Sequence, residues 1–265
     1  MYRHAQTVII CYIDIQLGCI YAIVSRGDRA AKRGARTELN ALAVLLVLGC
    51  ALETVFIVLE QKKCMLGALL LKAGASLLFV VAGFVAFSFA PNPPFGRMIV
   101  LGLMLGAIGD VCLNLRFLLP GRAKPIFLFG IGAFLLGHVA YLVALIAFAP
   151  AVLLYALPAA AILSFFLIRF VLSRVEVTGV IKIFGIVYLC VVFLMAAVAL
   201  TLFAFVPQSL GRAVFALGAL LFALSDVLLV LNQFGKRPYP AFRAMNLSFY
   251  YLGQVFICLT IALMR

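Results

Sequence analysis

Five ionisable side chains lie inside long apolar stretches of the sequence. They are Glu53, Lys72, Asp110, His138 and Asp226. A charged group in the hydrocarbon of a bilayer costs about 2.5–3.5 kcal/mol on insertion scales, so residues of this kind are candidates for function. The polar residues that accompany them are Asn114, Tyr250 and Gln254. Helical i,i+4 spacing puts Asp110 with Asn114, and Tyr250 with Gln254, on one helix face. Together these side chains predict a polar cavity that opens toward the basic side of the protein.

The two aspartates are suited to acid–base chemistry. Asp110 and Asp226 each lie about two turns before the basic end of an apolar segment. Two facing carboxylates in a site of low dielectric do not both ionise easily, so they tend to share a proton. Such a pair can protonate a substrate and activate water without a metal ion. We therefore predict that Asp110 and Asp226 are catalytic.

The composition defines the elements that must position these groups. The chain has 265 residues, of which 67% are hydrophobic and 11% are charged, and its mean hydropathy is +1.27. A soluble domain is nearer half apolar and a quarter charged, so a water-soluble globular protein is excluded. A spanning helix needs roughly 20 apolar residues. Eight segments meet that requirement, at about 39–59, 65–89, 97–119, 126–148, 151–173, 180–206, 210–231 and 245–264. We expect an all-α polytopic membrane protein with one transmembrane catalytic domain over 39–264.

An internal repeat relates the two aspartates. When the chain is shifted by 116 residues, the third and fourth segments align with the seventh and eighth without a gap. Asp110 then aligns with Asp226, and His138 aligns with Gln254. Each unit holds four helices, which is an even number, so the two units insert with the same orientation. The predicted repeats span about 39–148 and 151–264. The aspartates are expected to approach each other across an axis along the membrane normal.

The N-terminal segment 1–38 is uncertain. It contains a weaker apolar stretch at 8–24, which carries Asp14, and a basic run from Arg26 to Arg36. An interfacial helix, a signal-like segment and an extended start site all remain open.

The net charge of +13 does not indicate nucleic acid, because the Lys and Arg residues lie in short loops at helix ends. Most of them follow the first, third, fifth and seventh segments, which predicts that these loops are cytoplasmic, although the basic run at 26–36 argues for the opposite orientation. We expect a multi-pass protein of the cell (inner) membrane.

The accompanying residues have structural interpretations as well as functional ones. Lys72 can extend toward the interface, or it can form a structural ion pair with Glu53. His138 can be an interhelical hydrogen-bond partner, and Tyr250 can belong to an interfacial aromatic belt. In the functional interpretation, His138, Gln254 and Asn114 orient the carboxylates and water, while Lys72 meets a lipid phosphate near the cavity mouth.

Other hydrolytic chemistries are disfavoured. A zinc hydrolase needs about three protein ligands, whereas this chain has only two histidines, and its seven cysteines form no CxxC pair. A GxSxG elbow is absent, which disfavours a serine lipase. An intramembrane aspartyl protease also uses two aspartates, but its YD and GxGD/PAL signatures are missing, and Gly109-Asp110 gives only a partial match. We expect no metal and no cofactor.

Four motifs resemble the YhhN-type lysoplasmalogenase family of eight-helix membrane enzymes. They are LGAIGDVCLNL (105–115), GAFLLGHVAYLVAL (132–145), GALLFALSDVLLVLNQF (218–234) and YYLGQVFICL (250–259). The resemblance covers about 39–264. The family usually shows Lys-Pro on its second helix, whereas this chain has Lys72-Ala73, so its second helix is expected to be straighter.

The resemblance implies hydrolysis of the vinyl-ether bond of a lysoplasmalogen, which yields a fatty aldehyde and glycerophosphoethanolamine or glycerophosphocholine. This reaction suits the two aspartates, because a vinyl ether is cleaved through protonation of carbon rather than through attack on a carbonyl. The expected partners are a lysophospholipid substrate and membrane lipids, with no nucleic acid. The oligomeric state and the headgroup preference stay open.

Two other functions fit the same residues. Parallel repeats with protonatable carboxylates in a polar midplane site also describe proton-coupled transporters. Alternatively, the protein binds lipid or has a structural role, and the aspartates only bridge helices. Release of aldehyde distinguishes the enzyme from both alternatives.

Overall fold

The computed structural model describes residues 18, 33–206, 209–236 and 239–265, and these form eight long helices. In chain order they are α1 (Arg33–Gln61), α2 (Met65–Ser88), α3 (Pro93–Leu118), α4 (Ala123–Phe148), α5 (Leu153–Leu172), α6 (Gly179–Phe205), α7 (Leu210–Phe234) and α8 (Pro240–Leu263). All eight are long and apolar enough to cross a membrane. The predicted all-α polytopic architecture is confirmed.

Prolines set several of the helix boundaries. Proline is tolerated in the first turn of a helix, where its missing N–H has no intrahelical partner. Accordingly α3 begins at Pro93, and the side chain of Asn92 caps it by accepting a hydrogen bond from the Phe95 N–H. The last helix begins at Pro240 in the same way. These two helices therefore start four to five residues earlier than the apolar pattern alone predicts.

The N-terminal predictions fall largely outside the described residues. The apolar stretch 8–24 lies there except for residue 18, and so does most of the basic run. The first spanning helix begins at Arg33 rather than near residue 39, so the end of the basic run is helical. Helices tolerate such polar extensions, since Arg has a high helix propensity.

The repeat seen in the sequence is also present in the helix boundaries. Adding 116 to the bounds of α3 and α4 gives 209–234 and 239–264, which lie within one residue of the bounds of α7 and α8. Adding 116 to the bounds of α2 gives 181–204, and these bounds lie within two residues of those of α6. The duplicated unit therefore extends beyond the two helices in which the sequence motifs are visible.

Equivalent glycines form equivalent helix crossings in the two repeats. A Cβ atom at Gly137 on α4 would lie 3.1 Å from the carbonyl oxygen of Gly102 on α3. In the second repeat, a Cβ atom at Gly253 on α8 would lie 3.0 Å from the carbonyl oxygen of Gly218 on α7. Small residues at these positions let the helix backbones approach closely. The α3–α4 and α7–α8 hairpins are thus packed alike.

The helices differ in how deeply they are buried. In α8, 83% of the residues in its apolar spanning window are buried inside the protein, against 22% for α5. The last helix contacts α1, α2, α3 and α7, whereas α5 exposes large apolar side chains such as Leu154 and Phe166. An apolar exterior suits lipid, so α8 is the central helix of the bundle and α5 is a peripheral one.

Candidate active site

One deep cavity in the bundle contains both aspartates. Side chains from helices α2 to α8 line it, and it encloses about 1150 Å³ of space including its open mouth. Asp110, Asp226, Lys72 and Tyr250 are all among the lining residues. Most of the remaining wall is apolar, with Ile, Leu, Val and Phe side chains from α4 to α7. The repeat therefore brings its two carboxyl groups to one cavity, as predicted.

The Asp110 carboxylate is held by three partners. Lys72 Nζ on α2 lies 3.0 Å from Oδ1 and forms an ion pair with it. The hydroxyl groups of Ser76 and Tyr250 both donate hydrogen bonds to Oδ2, each at 2.6 Å. Asp110 is 2% exposed and Lys72 is 4% exposed, so the pair is removed from water. All three partners are donors, so the carboxyl oxygens of Asp110 act only as acceptors in this site.

A chain of polar side chains fixes the position of Tyr250. Gln254 Nε2 donates a hydrogen bond to the Tyr250 hydroxyl oxygen at 3.2 Å, and Tyr141 donates its own hydroxyl to Gln254 Oε1 at 3.1 Å. The predicted i,i+4 pair of Tyr250 and Gln254 is therefore confirmed. Gly102 and Gly106 make room for this chain, because a Cβ at Gly102 would overlap the Tyr141 ring and a Cβ at Gly106 would lie 3.0 Å from Gln254 Nε2.

Asp226 has a much simpler environment. Tyr188 on α6 donates its hydroxyl to Asp226 Oδ2 at 2.8 Å. Within the described residues this is its one hydrogen bond, and no Lys, Arg or His lies within ion-pair distance. The aspartate is 4% exposed. Burying an unpaired charge is far more expensive than burying a neutral carboxyl group, so this environment favours the protonated form.

The repeat explains how the two environments came to differ. Lys72 and Tyr188 are themselves 116 residues apart, so they occupy equivalent positions on α2 and α6. Each lies 38 residues before the aspartate that it contacts. The first repeat thus places a cation beside its aspartate, where the second repeat places a phenol. Two carboxyl groups in equivalent positions thereby have unlike partners.

His138 supports the site through its ring contacts. Its Nδ1 is 2.8 Å from the carbonyl oxygen of Phe134 and therefore donates to it, because a carbonyl can only accept. Its ring packs against Phe222 and Tyr188, with centroids 4.6 and 5.5 Å away. No described residue hydrogen-bonds its Nε2. The imidazole contacts the ring of the phenol that binds Asp226, and it makes no hydrogen bond with either aspartate.

Asn114 and Glu53 are buried but do not line the cavity. Asn114 donates to the main-chain carbonyl oxygen of Asp110 at 3.2 Å, which stabilises the helix rather than the carboxylate. The predicted i,i+4 proximity of these two residues is confirmed, whereas a contact between Asn114 and the carboxylate is not found. Their spacing on one helix brings the amide to the backbone carbonyl, a common arrangement for a polar side chain inside a helix.

Lys72 lies in the same layer as Asp110. Its ammonium group pairs with Asp110 rather than extending to the interface or to a phosphate at the mouth. The ion pair offsets part of the desolvation of both groups, which explains why the lysine remains inside the bundle. Tyr250 is likewise buried beside Asp110 and is not an interfacial belt residue.

Three cationic side chains line the cavity near the ends of their helices: Arg116, Lys182 and Arg243. Arg243 is bound by both oxygens of Glu60, at 2.6 and 3.0 Å, and donates a third hydrogen bond to Asn246. These cations mark the mouth of the cavity on the side that the charge pattern identifies as basic.

A family comparison fits this geometry. A model described as the YhhN family matches residues 67–261, which is well over half of the chain and includes both aspartates. The chain belongs to the YhhN family. No curated protein and no solved structure matches it. Membership is consistent with a membrane hydrolase. The second helix of this YhhN protein is continuous through Lys72-Ala73.

Sequence reasoning missed three residues that contact the aspartates or support their contacts in this YhhN protein: Ser76, Tyr188 and Tyr141. Ser76 follows Lys72 by four residues, so helical spacing alone places it on the same face. Tyr188 is found by extending the 116-residue shift to the second and sixth helices. The sequence gives no comparable signal for Tyr141, which aligns with Ile257.

Within residues 33–206, 209–236 and 239–265, no three His, Cys, Asp or Glu side chains are grouped so that they could hold a metal ion.

Proposed function

We propose that the protein is a membrane hydrolase that cleaves the vinyl-ether bond of lysoplasmalogens and releases a fatty aldehyde and a glycerophospho-headgroup. The observation that carries the proposal is the unlike pair of buried carboxyl groups on one largely apolar cavity. Hydrolysis of a vinyl ether needs a strong proton donor to carbon and a carboxylate that receives a proton from water. The two environments supply these two states.

In this mechanism Asp226 is the general acid. It has one hydrogen-bond donor and no cationic partner among the described residues, which favours the neutral carboxyl group. Because Tyr188 donates to Oδ2, that oxygen is the acceptor and the proton is left on Oδ1. Asp110, paired with Lys72, is the carboxylate that activates water. The assignment follows from the partners of each residue and not from its position in the sequence.

The proton transfers form a closed cycle. Asp226 donates its proton to the vinyl carbon farther from oxygen, and the adjacent carbon becomes an oxocarbenium ion, which the new carboxylate stabilises electrostatically. Water adds to that carbon and gives a proton to Asp110, which yields a hemiacetal. The hemiacetal then collapses: its C–O bond to glycerol breaks, Asp110 returns the proton to the glycerol oxygen, and Asp226 takes the hydroxyl proton. Both side chains regain their initial states.

The shape of the cavity suits a substrate with one chain. Phe134 of α4, Leu189 of α6 and Phe222 of α7 form an apolar wall at the level of the aspartates and beyond it, on the side away from Arg116 and Lys182. A single alkenyl chain can lie along this wall, where its burial is favourable by roughly 0.8 kcal/mol per methylene. We propose that this wall holds the chain while the vinyl ether lies between the two carboxyl groups.

The test is release of fatty aldehyde by the purified protein from lysoplasmenyl-ethanolamine and lysoplasmenyl-choline. We expect aldehyde from the wild type and none from Asp110→Asn or Asp226→Asn. In D₂O, one deuterium should appear on the carbon next to the aldehyde carbonyl, because the acid delivers a solvent-exchangeable proton there. In H₂¹⁸O the glycerol product should carry no label, because the vinyl C–O bond is the one that breaks.

A matched control is Glu38→Gln, which removes an exposed carboxylate at the start of α1. This variant should release aldehyde at the wild-type rate. Absence of aldehyde from folded wild-type protein with both headgroups would contradict the proposed reaction. Substrate-dependent proton flux in liposomes without aldehyde would instead favour a transporter.

A further inference from the structure

The cations at the cavity mouth lie at one depth relative to the aspartates. Arg116 is six residues beyond Asp110 on α3, toward the helix end. Lys182 is six residues before Tyr188, the partner of Asp226, on α6. At ~1.5 Å rise per residue, both cations are about 9 Å from the carboxyl layer along their helices. The cavity thus has an anionic and acidic layer inside and a cationic layer at its mouth.

Two of the three cations have no anionic partner of their own. Arg243 is neutralised by its bidentate contact with Glu60. Within the described residues, neither Arg116 nor Lys182 takes part in an ion pair. Arg116 is partly buried, and Glu60, the acidic residue that acts on it electrostatically, is already paired with Arg243. Lys182 is exposed. An anionic group at the cavity mouth would stabilise the charge of both cations, and more so that of the arginine.

The arginine is also prepared for a ligand. Its guanidinium group lies between the rings of Phe117 and Phe127, with its carbon 4.7 and 4.6 Å from their centroids. Nη2 donates a hydrogen bond to Gln233 Oε1 at 3.1 Å, while the buried Nε has no hydrogen-bond partner among the described residues. A guanidinium group that is held in place and has free donors is well suited to bind phosphate oxygens.

We propose that Arg116 and Lys182 bind the phosphodiester group of the substrate and thereby select a lysophospholipid over a neutral alkenyl glycerol. The inference rests on the proposed function, whose catalytic aspartates it uses as a reference point. Seven bonds separate the carbon that is protonated from the phosphorus atom of such a lipid. An extended chain of seven bonds spans about 8 Å at roughly 1.2 Å per bond, which is close to the separation of the two layers.

The same geometry excludes Lys72 from this role. Its ammonium group is at the carboxyl layer and is already paired with Asp110. A phosphate at that depth would place the vinyl ether beyond the aspartates, and its charge would compete with the carboxylate for one cation. Phosphate binding by Arg116 and Lys182 leaves this ion pair intact.

The experiment compares lysoplasmenyl-ethanolamine with a headgroup-free alkenyl glycerol of the same chain, in wild type, Arg116→Gln and Lys182→Gln. For the phospholipid we expect each substitution to raise KM about 10- to 100-fold, which is the range expected for one charge-assisted hydrogen bond, with little change in kcat. For the alkenyl glycerol, KM should change less than 2-fold. Equal effects on both substrates would overturn the proposal.

Matched controls separate this effect from lost packing and from surface charge. Arg212 resembles Arg116 in two ways: it stacks on a phenyl ring, that of Phe148, and its Nε has no hydrogen-bond partner among the described residues. It does not line the cavity, so Arg212→Gln is a control for lost packing. Lys124→Gln removes an exposed lysine at the start of α4. Both controls should retain the wild-type preference for phospholipid. Loss of that preference in either control would contradict a local phosphate site.

A binding measurement keeps this proposal independent of the reaction. A saturated alkyl ether analogue of the lysophospholipid cannot be hydrolysed, and its affinity should fall about 10- to 100-fold in Arg116→Gln. If the wild type binds the analogue in this way but releases no aldehyde from any substrate, the proposed function fails and the phosphate site stands. If glycerophosphoethanolamine displaces the bound analogue and inorganic phosphate does not, the site recognises a lipid headgroup. If inorganic phosphate displaces it and glycerophosphoethanolamine does not, the proposal that the site selects a lysophospholipid is overturned.

Discussion

Replacing each aspartate with asparagine should destabilise the protein by very different amounts. The substitution Asp110→Asn removes the counter-charge of Lys72, which is 4% exposed. Breaking a buried ion pair by removing one partner costs about 3–5 kcal/mol, because the remaining charge is left uncompensated. The free energy of unfolding should fall by about that amount, although the amide oxygen can still accept the hydrogen bonds of Ser76 and Tyr250.

The matched substitution Asp226→Asn should be nearly neutral for stability. If this carboxyl group is protonated, the change replaces one neutral group with another of the same shape. Tyr188 can then donate to the amide oxygen as it does to Oδ2. We expect a loss of no more than about 1 kcal/mol, in the range of one uncharged hydrogen bond. The two variants should therefore differ by about 2–5 kcal/mol while both lack hydrolytic activity.

Thermal unfolding in detergent can measure this difference. The chain has no Trp, so a thiol-reactive dye that reports exposure of the buried Cys50 and Cys258 is the appropriate probe. For a protein of this size, 1 kcal/mol shifts Tm by about 2–4 °C, which predicts that Asp110→Asn melts roughly 4–20 °C below Asp226→Asn. Adding Lys72→Met to Asp110→Asn should recover part of the loss, because no buried charge then remains. Equal losses for the two aspartates, or a larger loss at Asp226, would refute the assignment of charge states.

Three further substitutions test the surroundings of the aspartates. Gly102→Ala should lower the free energy of unfolding by about 1–3 kcal/mol, measured by the same dye assay, because the added Cβ overlaps the Tyr141 ring. Gly185→Leu should reduce hydrolysis of lysoplasmenyl-ethanolamine to a similar extent at every chain length, because Gly185 lines the cavity beside open space, halfway between Lys182 and Tyr188. Tyr188→Phe should lower kcat about 10-fold without raising KM, since it removes the donor that orients Asp226.

One glycine serves as control for the first two changes. Gly132 lies in the middle of α4, does not line the cavity, and has no atom within 4 Å of an added Cβ. Gly132→Ala should leave stability unchanged or slightly improved, and Gly132→Leu should not lower the rate of hydrolysis. Hydrolysis at the wild-type rate in Gly185→Leu would argue against passage of the substrate along this face of α6. A rise in KM in Tyr188→Phe would argue that the phenol binds substrate instead.

The helices and the pair of aspartates could be predicted from the sequence because their signals are local or periodic. Apolar length identifies a spanning helix, and a single ungapped shift aligns Asp110 with Asp226. The same shift, applied one helix earlier, aligns Lys72 with Tyr188 and would have revealed the asymmetry of the site. Helical spacing also predicted the contact of Tyr250 with Gln254, which the structure confirms.

The partners across helices could not be predicted in this way. The ammonium group of Lys72 could have reached the interface, a phosphate or an aspartate, and only the packing of α2 against α3 selects Asp110. Asn114 shares a helix face with Asp110, but hydrogen-bond geometry directs its amide to the backbone carbonyl. The orientation of the protein in the membrane stays a prediction, as do the roles of the site residues in catalysis.

The equivalence of positions 72 and 188 limits how such a site can be built. A homodimer of one four-helix unit must place the same side chain at both positions. Two lysines would hold both carboxyl groups charged and leave no acid, and two tyrosines would leave no carboxylate fixed by a cation. An acid and a base in symmetry-equivalent places therefore require that the two halves be able to mutate separately. Joining two units in one chain permits this. In the proposed mechanism, the single difference between Lys72 and Tyr188 is enough to give the two aspartates different roles.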